Sequence, residues 1–127
     1  GTEYISLGHR EGGLSHWHRI SWWDHTCLGD ERVSYEKEMI KIKHLPIDKR
    51  YKIGVGHPTG PVQYENNGIV FEKNYDFKSD EIYPDGDVSF ETFFCYHMAE
   101  IESLSPLYTI EPNECAEHKE TWKLYRV

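Results

Sequence analysis

The stretch that decides the fold is Met98-Ala99-Glu100-Ile101-Glu102-Ser103-Leu104-Ser105-Pro106-Leu107. Its alternation predicts one β-strand, with small or apolar side chains on one face and Glu100 and Glu102 on the other. Same-face positions of a strand lie roughly 6.5 to 7 Å apart, so both carboxylates could reach one small bound molecule. The run is therefore compatible with a binding site on an open sheet face.

The chain around this run has the size of one domain. It contains 127 residues, enough for a real hydrophobic core but too few for two domains. We expect a single β-sandwich domain over residues 1–127, in which residues 1–18 form a loop-rich N-terminal arm. That arm is rich in Gly and His and is expected to add little to the core.

Charge and hydropathy exclude several classes of partner. The net charge is −8, with 22 acidic and 14 basic side chains, which disfavours nucleic acid and anionic membrane surfaces as partners. No apolar run approaches the length of a membrane span, and no basic and then apolar leader opens the sequence, so we expect a soluble protein. The sequence indicates no particular compartment.

Alternation and turn signals predict about nine or ten short strands, as in an antiparallel sandwich or barrel. Asn66-Asn67-Gly68 predicts a hairpin turn, and Pro84-Asp85-Gly86-Asp87 predicts a second turn. Residues 30–38 are a weak helix candidate that also fits a strand. The predicted strands cover residues 19–23, 39–45, 51–55, 61–64, 69–75, 88–97, 98–107, 107–110 and 121–127.

Metal and cysteine chemistry have weak support. His16 and His18 lie on one face of an extended segment and, with a third histidine, could bind a metal, but the further ligands that such a site needs are not in place. Three widely spaced cysteines fit neither a disulfide framework nor a metal knuckle, so we interpret them as buried or free thiols. We expect no cofactor.

Several segments in the last third share a family pattern. They are Tyr83-Pro84-Asp85-Gly86, Phe90-Glu91, residues 100–107, Ile110-Glu111-Pro112-Asn113-Glu114 and residues 118–124. In this order they resemble the C-terminal part of galactose mutarotase-like proteins, the aldose-epimerase type of β-supersandwich. Asn113 stands where the family usually has Gly. The weaker resemblance from residue 20 onward includes Tyr51-Lys52-Ile53-Gly54.

The resemblance implies a fold and a ligand class. It implies an all-β, antiparallel sandwich of the galactose mutarotase-like type, possibly a partial version, because members of that superfamily are considerably longer. It also implies carbohydrate as the partner.

Two residues match the catalytic positions of the family. Glu102, in Ile101-Glu102-Ser103, matches the Leu-Glu-Thr context of the general base. His25, in Asp24-His25-Thr26, is loosely similar to the segment that holds the catalytic acid. Mutarotation needs such a pair because one group takes a proton while the other gives one. The alternative for His25 is a structural role. The alternative for Glu100 and Glu102 is that they lie on a solvent-exposed face of the sheet.

The remaining candidates would bind substrate. Glu100 could accept a sugar hydroxyl or raise the pKa of Glu102 through like charge. Tryptophan rings could stack on a sugar, although core or interface packing is the alternative for them. The substrate-binding candidates are Glu100, Glu91, Lys52, Trp22 and Trp23.

Two functional hypotheses follow. The first is a carbohydrate-related protein of mutarotase-like type that binds sugar or epimerises aldoses. The second is a non-enzymatic structural or interaction sandwich that covers an otherwise open sheet by pairing. The partner is either a different chain or a second copy, which would form a homo-oligomer.

Overall fold

The computed structural model describes residues 1–8 and 17–127. Within these residues, ten strands form two antiparallel sheets that pack face to face, which confirms the prediction of an all-β antiparallel sandwich. The strands are β1 (Thr2–Ser6), β2 (Ile20–Trp22), β3 (Val33–Tyr35), β4 (Met39–Lys43), β5 (Tyr51–Val55), β6 (Val62–Asn66), β7 (Ile69–Tyr75), β8 (Phe90–Phe94), β9 (Ala99–Ser103) and β10 (Glu120–Arg126).

The two sheets differ in width. The larger sheet has six strands in the order β10-β7-β6-β1-β4-β3, and the smaller one has four in the order β2-β5-β8-β9. Their facing sides enclose a core of Ile5, Leu7, Ile40, Ile42, Tyr51, Ile53, Val55, Val62, Phe90 and Phe94. The alternate residues of the four-stranded sheet point away from the core, and we call that side the outer face.

The N-terminal segment contradicts the expectation of a loop that adds little to the core. β1 lies between β4 and β6 in the six-stranded sheet, and Ile5 and Leu7 are buried. The alternation Glu3, Ile5, Leu7 was present in the sequence, but a carboxylate at its first core position concealed it. Glu3 is fully buried, and its Oε2 accepts a hydrogen bond from Thr92 Oγ1 of the opposite sheet at 2.8 Å. The rest of the predicted arm, except residues 17 and 18, lies outside the described residues.

Three other predicted strands are shorter or absent. The central run is a strand only as β9, which ends at Ser103, and the predicted strand over 88–97 is limited to β8. Residues 107–110 form no strand. Their apolar side chains are exposed and bury no face against a sheet, so apolar character alone misled the prediction. Residues 30–38 contain β3 and no helix.

Both predicted turns are present. Asn67 and Gly68 have positive φ values of 51° and 73°, as a two-residue hairpin between β6 and β7 requires. Pro84–Asp87 forms a single tight turn, α1, in which Asp85 and Gly86 are left-handed. No helix in the described part of the chain is long and apolar enough to cross a membrane.

Candidate functional site

The sheet register brings the predicted carboxylates together on the outer face. Glu91 on β8 lies directly opposite Glu102 on β9, and Phe93 lies opposite Glu100. On the other side of β8, Lys52 on β5 is paired with Phe93. Antiparallel neighbours on one face lie about 5 Å apart, so these side chains form one cluster across three strands.

Lys52 is the centre of this cluster. Its Nζ lies 2.6 Å from Glu91 Oε2, 3.5 Å from Glu102 Oε2 and 4.8 Å from the centroid of the Trp23 ring. Burial acts to lower the pKa of Lys52, but the hydrogen bond to Glu91 and the charges of both glutamates raise it overall. Lys52 is therefore a cation that holds two carboxylates and one aromatic ring in place.

The two outer glutamates form a carboxyl pair. A hydrogen bond to Glu102 raises the pKa of Glu100, and the negative charge of Glu102 adds to this rise. A hydrogen bond between two carboxyl groups needs one proton between them. The raised pKa favours the protonated form of Glu100, which can donate a proton to a neighbouring oxygen.

Glu91 is the buried member of the cluster. Its side chain is 3% exposed, and its Oε1 receives no hydrogen bond from the described residues. Burial raises the pKa of Glu91, the Lys52 ammonium opposes that rise, and the nearby Asp85 carboxyl adds to it. An unsatisfied buried carboxylate oxygen is a position that a donor can stabilise.

The α1 turn brings Asp85 over the outer face. Ser21 Oγ on β2 donates a hydrogen bond to the Asp85 backbone oxygen at 2.7 Å. The turn passes so close to β5 that a Cβ on Gly54 would lie 2.6 Å from Val88 Cγ2. A glycine at this position is thus required for the close approach of the segment that follows the turn.

The loop after β2 carries the aromatic part of the site. Thr26 fastens this loop to β5, because its Oγ1 donates to the Lys52 backbone oxygen at 2.6 Å and accepts from the Lys52 N–H at 3.1 Å. The half-buried Trp23 is thereby held over Lys52. An open hollow of about 390 Å³ lies beside it. Its lining residues are Ile20, Ser21, Trp22, Trp23 and Asp85.

His25 and Trp22 lie at the margin of the cluster. His25 Nδ1 is 3.3 Å from Asp24 Oδ1, and its ring centroid is 6.4 Å from that of Phe93, in an edge-on arrangement. Trp22 lines the hollow, but its register partner is Ile53, a core residue. Of the seven predicted site residues, five meet directly in the cluster: Glu91, Glu100, Glu102, Lys52 and Trp23.

The predicted metal ligands gain no support. His16 lies outside the described residues, and His18 is exposed. Within residues 1–8 and 17–127, no three His, Cys, Asp or Glu side chains are grouped closely enough to hold a metal ion. All three cysteines are free thiols, and none is fully buried.

A second hollow, of about 560 Å³, has His118 and Cys115 among its lining residues. His118 Nε2 lies 2.7 Å from Ser103 Oγ, which also hydrogen-bonds Glu120. Burial acts to raise the pKa of Glu120, but hydrogen bonds from Ser103 and Lys73 lower it overall, so it is an acceptor. Ser103 must then donate to Glu120 and accept from His118, which leaves the hydroxyl without a base.

Sequence reasoning missed Asp85 as a site residue and Thr26 as the residue that fastens the loop. Asp85 was visible only as part of a turn, and the sequence does not say which strand that turn covers. One signal was available: an isolated glycine in a strand, here Gly54, indicates close approach of another segment.

No known family model, curated protein or solved structure matches this chain.

Proposed function

We propose that the outer face of the four-stranded sheet binds carbohydrate. The observation that carries the proposal is the position of Lys52, whose ammonium lies between Glu91 and Glu102 and over the Trp23 ring. A sugar offers an apolar C–H face to an aromatic ring and several hydroxyls to charged acceptors. Trp23 beside an open hollow, with carboxylates at its border, supplies both kinds of contact.

The resemblance to galactose mutarotase-like proteins supports the same ligand class. Two of the residues that carry it, Glu91 and Glu102, are register partners in one cluster. Lys52, from the earlier resembling segment, touches both.

Binding can be tested with a glycan screen followed by titration of the best monosaccharide. Trp23→Ala is expected to weaken binding by about tenfold, which corresponds to roughly 1.4 kcal/mol. The matched control is Tyr4→Ala, since Tyr4 also lies beside a lysine ammonium, that of Lys41 at 5.4 Å, but in the six-stranded sheet. Absence of binding to every sugar, or equal losses in the two variants, would contradict the proposal.

Aldose epimerisation is a second candidate, favoured by the Glu100–Glu102 carboxyl pair. Ring opening of an aldose needs one proton taken from the anomeric hydroxyl and one given to the ring oxygen. Glu102 is proposed as the base, and Glu100, whose pKa is raised by its neighbour Glu102, is proposed as the acid in place of His25.

Polarimetry on freshly dissolved aldoses tests this step. Glu102→Gln is expected to abolish any acceleration of anomerisation, whereas Glu65→Gln on β6 of the other sheet should leave it unchanged. Acceleration that survives Glu102→Gln would exclude Glu102 as the base. Sugar binding without any acceleration would contradict the enzymatic candidate and support a protein that only binds carbohydrate.

A further inference from the structure

The longest unpaired sheet edge in the described chain is β10. It pairs with β7 on one side, and no described strand lies on its other side. An unpaired strand presents a row of free backbone N–H and C=O groups that can add another strand. A seven-residue edge of this kind needs an explanation.

The other three edges are poor templates for pairing. β2 and β3 have only three residues each. β9 has five, but Glu100 and Glu102 share one of its faces, so pairing β9 with itself would bring like charges together. Short edges, and edges whose charges all have one sign, resist pairing with a second copy, whereas β10 has seven residues and charges of both signs.

The core-side face of β10 carries two large apolar side chains that the described residues leave exposed. Trp122 is 64% exposed and Leu124 is 73% exposed, although their register partners Lys73 and Phe71 belong to the face that carries the core. The narrower four-stranded sheet contacts β10 at Glu120, whose carboxylate accepts a hydrogen bond from Ser103 on β9, but it leaves Trp122 and Leu124 exposed. The Trp122 ring packs edge-on against Phe71, with centroids 5.6 Å apart, and thus extends the apolar surface to the edge.

The sequence of β10 is complementary to that of a second, antiparallel copy when the two Lys123 residues lie opposite each other. In this register Glu120 of each copy lies opposite Arg126 of the other copy. On the same face, Trp122 lies opposite Leu124 of the second copy, and this pair also occurs twice. Opposite charges and apolar partners across strands each stabilise pairing.

The central pair would place two Lys123 side chains together on the other face. Each ammonium already has a partner in its own chain, because Lys123 Nζ lies 2.9 Å from Glu72 Oε1. Hydrogen bonds from Lys123 and Gln63 lower the pKa of Glu72, so that this carboxylate is charged and can screen the lysine. Repulsion at the centre is thereby reduced.

We propose that two copies of this chain pair through β10 as a symmetric antiparallel dimer, joining their six-stranded sheets into one continuous sheet. A two-fold axis through Lys123 produces an isologous interface. The occupant is a second copy because its charges and apolar residues match this edge at each position on the core-side face. The inference does not depend on sugar binding, since the outer face belongs to the other sheet.

Sedimentation equilibrium over a range of concentrations tests the oligomeric state. The wild type is expected to be a dimer, whereas Leu124→Asp and Arg126→Glu should each be monomers with an unchanged circular dichroism spectrum. Ile82→Asp is the matched control, because Ile82 is 71% exposed but lies outside both sheets, and it should remain dimeric. A monomeric wild type, whether its edge is free or binds another protein, would overturn the proposal.

Cross-linking tests the register. With the three native cysteines changed to Ser, Lys123→Cys should form a disulfide-linked dimer on oxidation, since residues directly opposite in an antiparallel pair have Cα atoms about 4.5 to 5.5 Å apart. Thr121→Cys should not, because the two copies of residue 121 would be roughly 13 Å apart along the strands. Equal cross-linking at both positions, or a dimer that survives Leu124→Asp, would refute this interface.

Discussion

The Lys52 ammonium lies 2.6 Å from the buried carboxylate of Glu91, on the face of the small sheet that points away from the core. An ion pair on the outer side of a sandwich is not needed to fill the interior. It holds charge at a place where the α1 turn and the Trp23 loop also meet. This relationship is the basis for proposing that the outer face is a binding site.

Lys52→Met should destabilise the fold at neutral pH. It leaves Glu91 buried without its cation, which is expected to cost about 1 to 3 kcal/mol. Because burial raises the pKa of Glu91, the loss should shrink as the pH falls and this carboxylate takes up a proton. Urea unfolding at neutral and at acidic pH measures the loss, with Lys41→Met as the control, for which a change below about 0.5 kcal/mol is expected. Equal losses for the two variants would show that Lys52 does not support Glu91.

Gly54→Ala should disturb the α1 turn and its connection to β8. The added methyl group would overlap Val88 Cγ2, and such overpacking typically costs about 1 to 3 kcal/mol. Removing the obstacle with Val88→Ala should relieve part of that cost, so the double variant is expected to lose less than the sum of the single variants. A loss of unfolding free energy in the double variant equal to the sum of the two single losses would contradict this packing.

Glu3 should make stability dependent on pH. Burial raises its pKa from 4.5 to about 8, and the hydrogen bond from Thr92 only partly opposes that rise. Between these values the folded chain binds a proton that the unfolded chain has released, so the contribution of Glu3 to stability is greatest below pH 4.5 and falls as the pH rises toward 8. The slope contributed by Glu3 is at most about 1.4 kcal/mol for each pH unit.

Replacing Glu3 with Gln removes this titration. The unfolding free energy of Glu3→Gln is expected to decline less than that of the wild type between pH 5 and pH 8. If both proteins showed the same decline, Glu3 would have to be ionised in the folded state.

The sequence predicted the strands whose side chains alternate cleanly. The bounds of β5 and β7 agree with the prediction, because Gly and Pro or Asn-Gly turns flank them. β1 was not predicted because a glutamate, Glu3, occupies one of its core positions. The hydrogen-bond partner of Glu3, Thr92, lies on the opposite sheet and could not be identified from the local sequence. The strand predicted at 107–110 is absent for the opposite reason, since its apolar side chains are left exposed by the described residues.

The site was predicted as a set of residues but not as an arrangement. Same-face placement of Glu100 and Glu102 follows from a period of two. That Glu91 faces Glu102, or that Lys52 reaches both, depends on which strands pair and in which register, and local sequence does not encode this. The prediction of His25 as an acid rests on resemblance alone, and in the structure its ring lies edge-on to Phe93 at the margin of the cluster.

Chemical-shift mapping with a monosaccharide tests the central claim most directly. We predict saturable amide and indole shifts concentrated at Trp23, Lys52, Glu91 and Glu102, with little change along β10. Shifts confined to the six-stranded sheet, or no saturable shift with any aldose, would contradict the assignment of the outer face as a carbohydrate site.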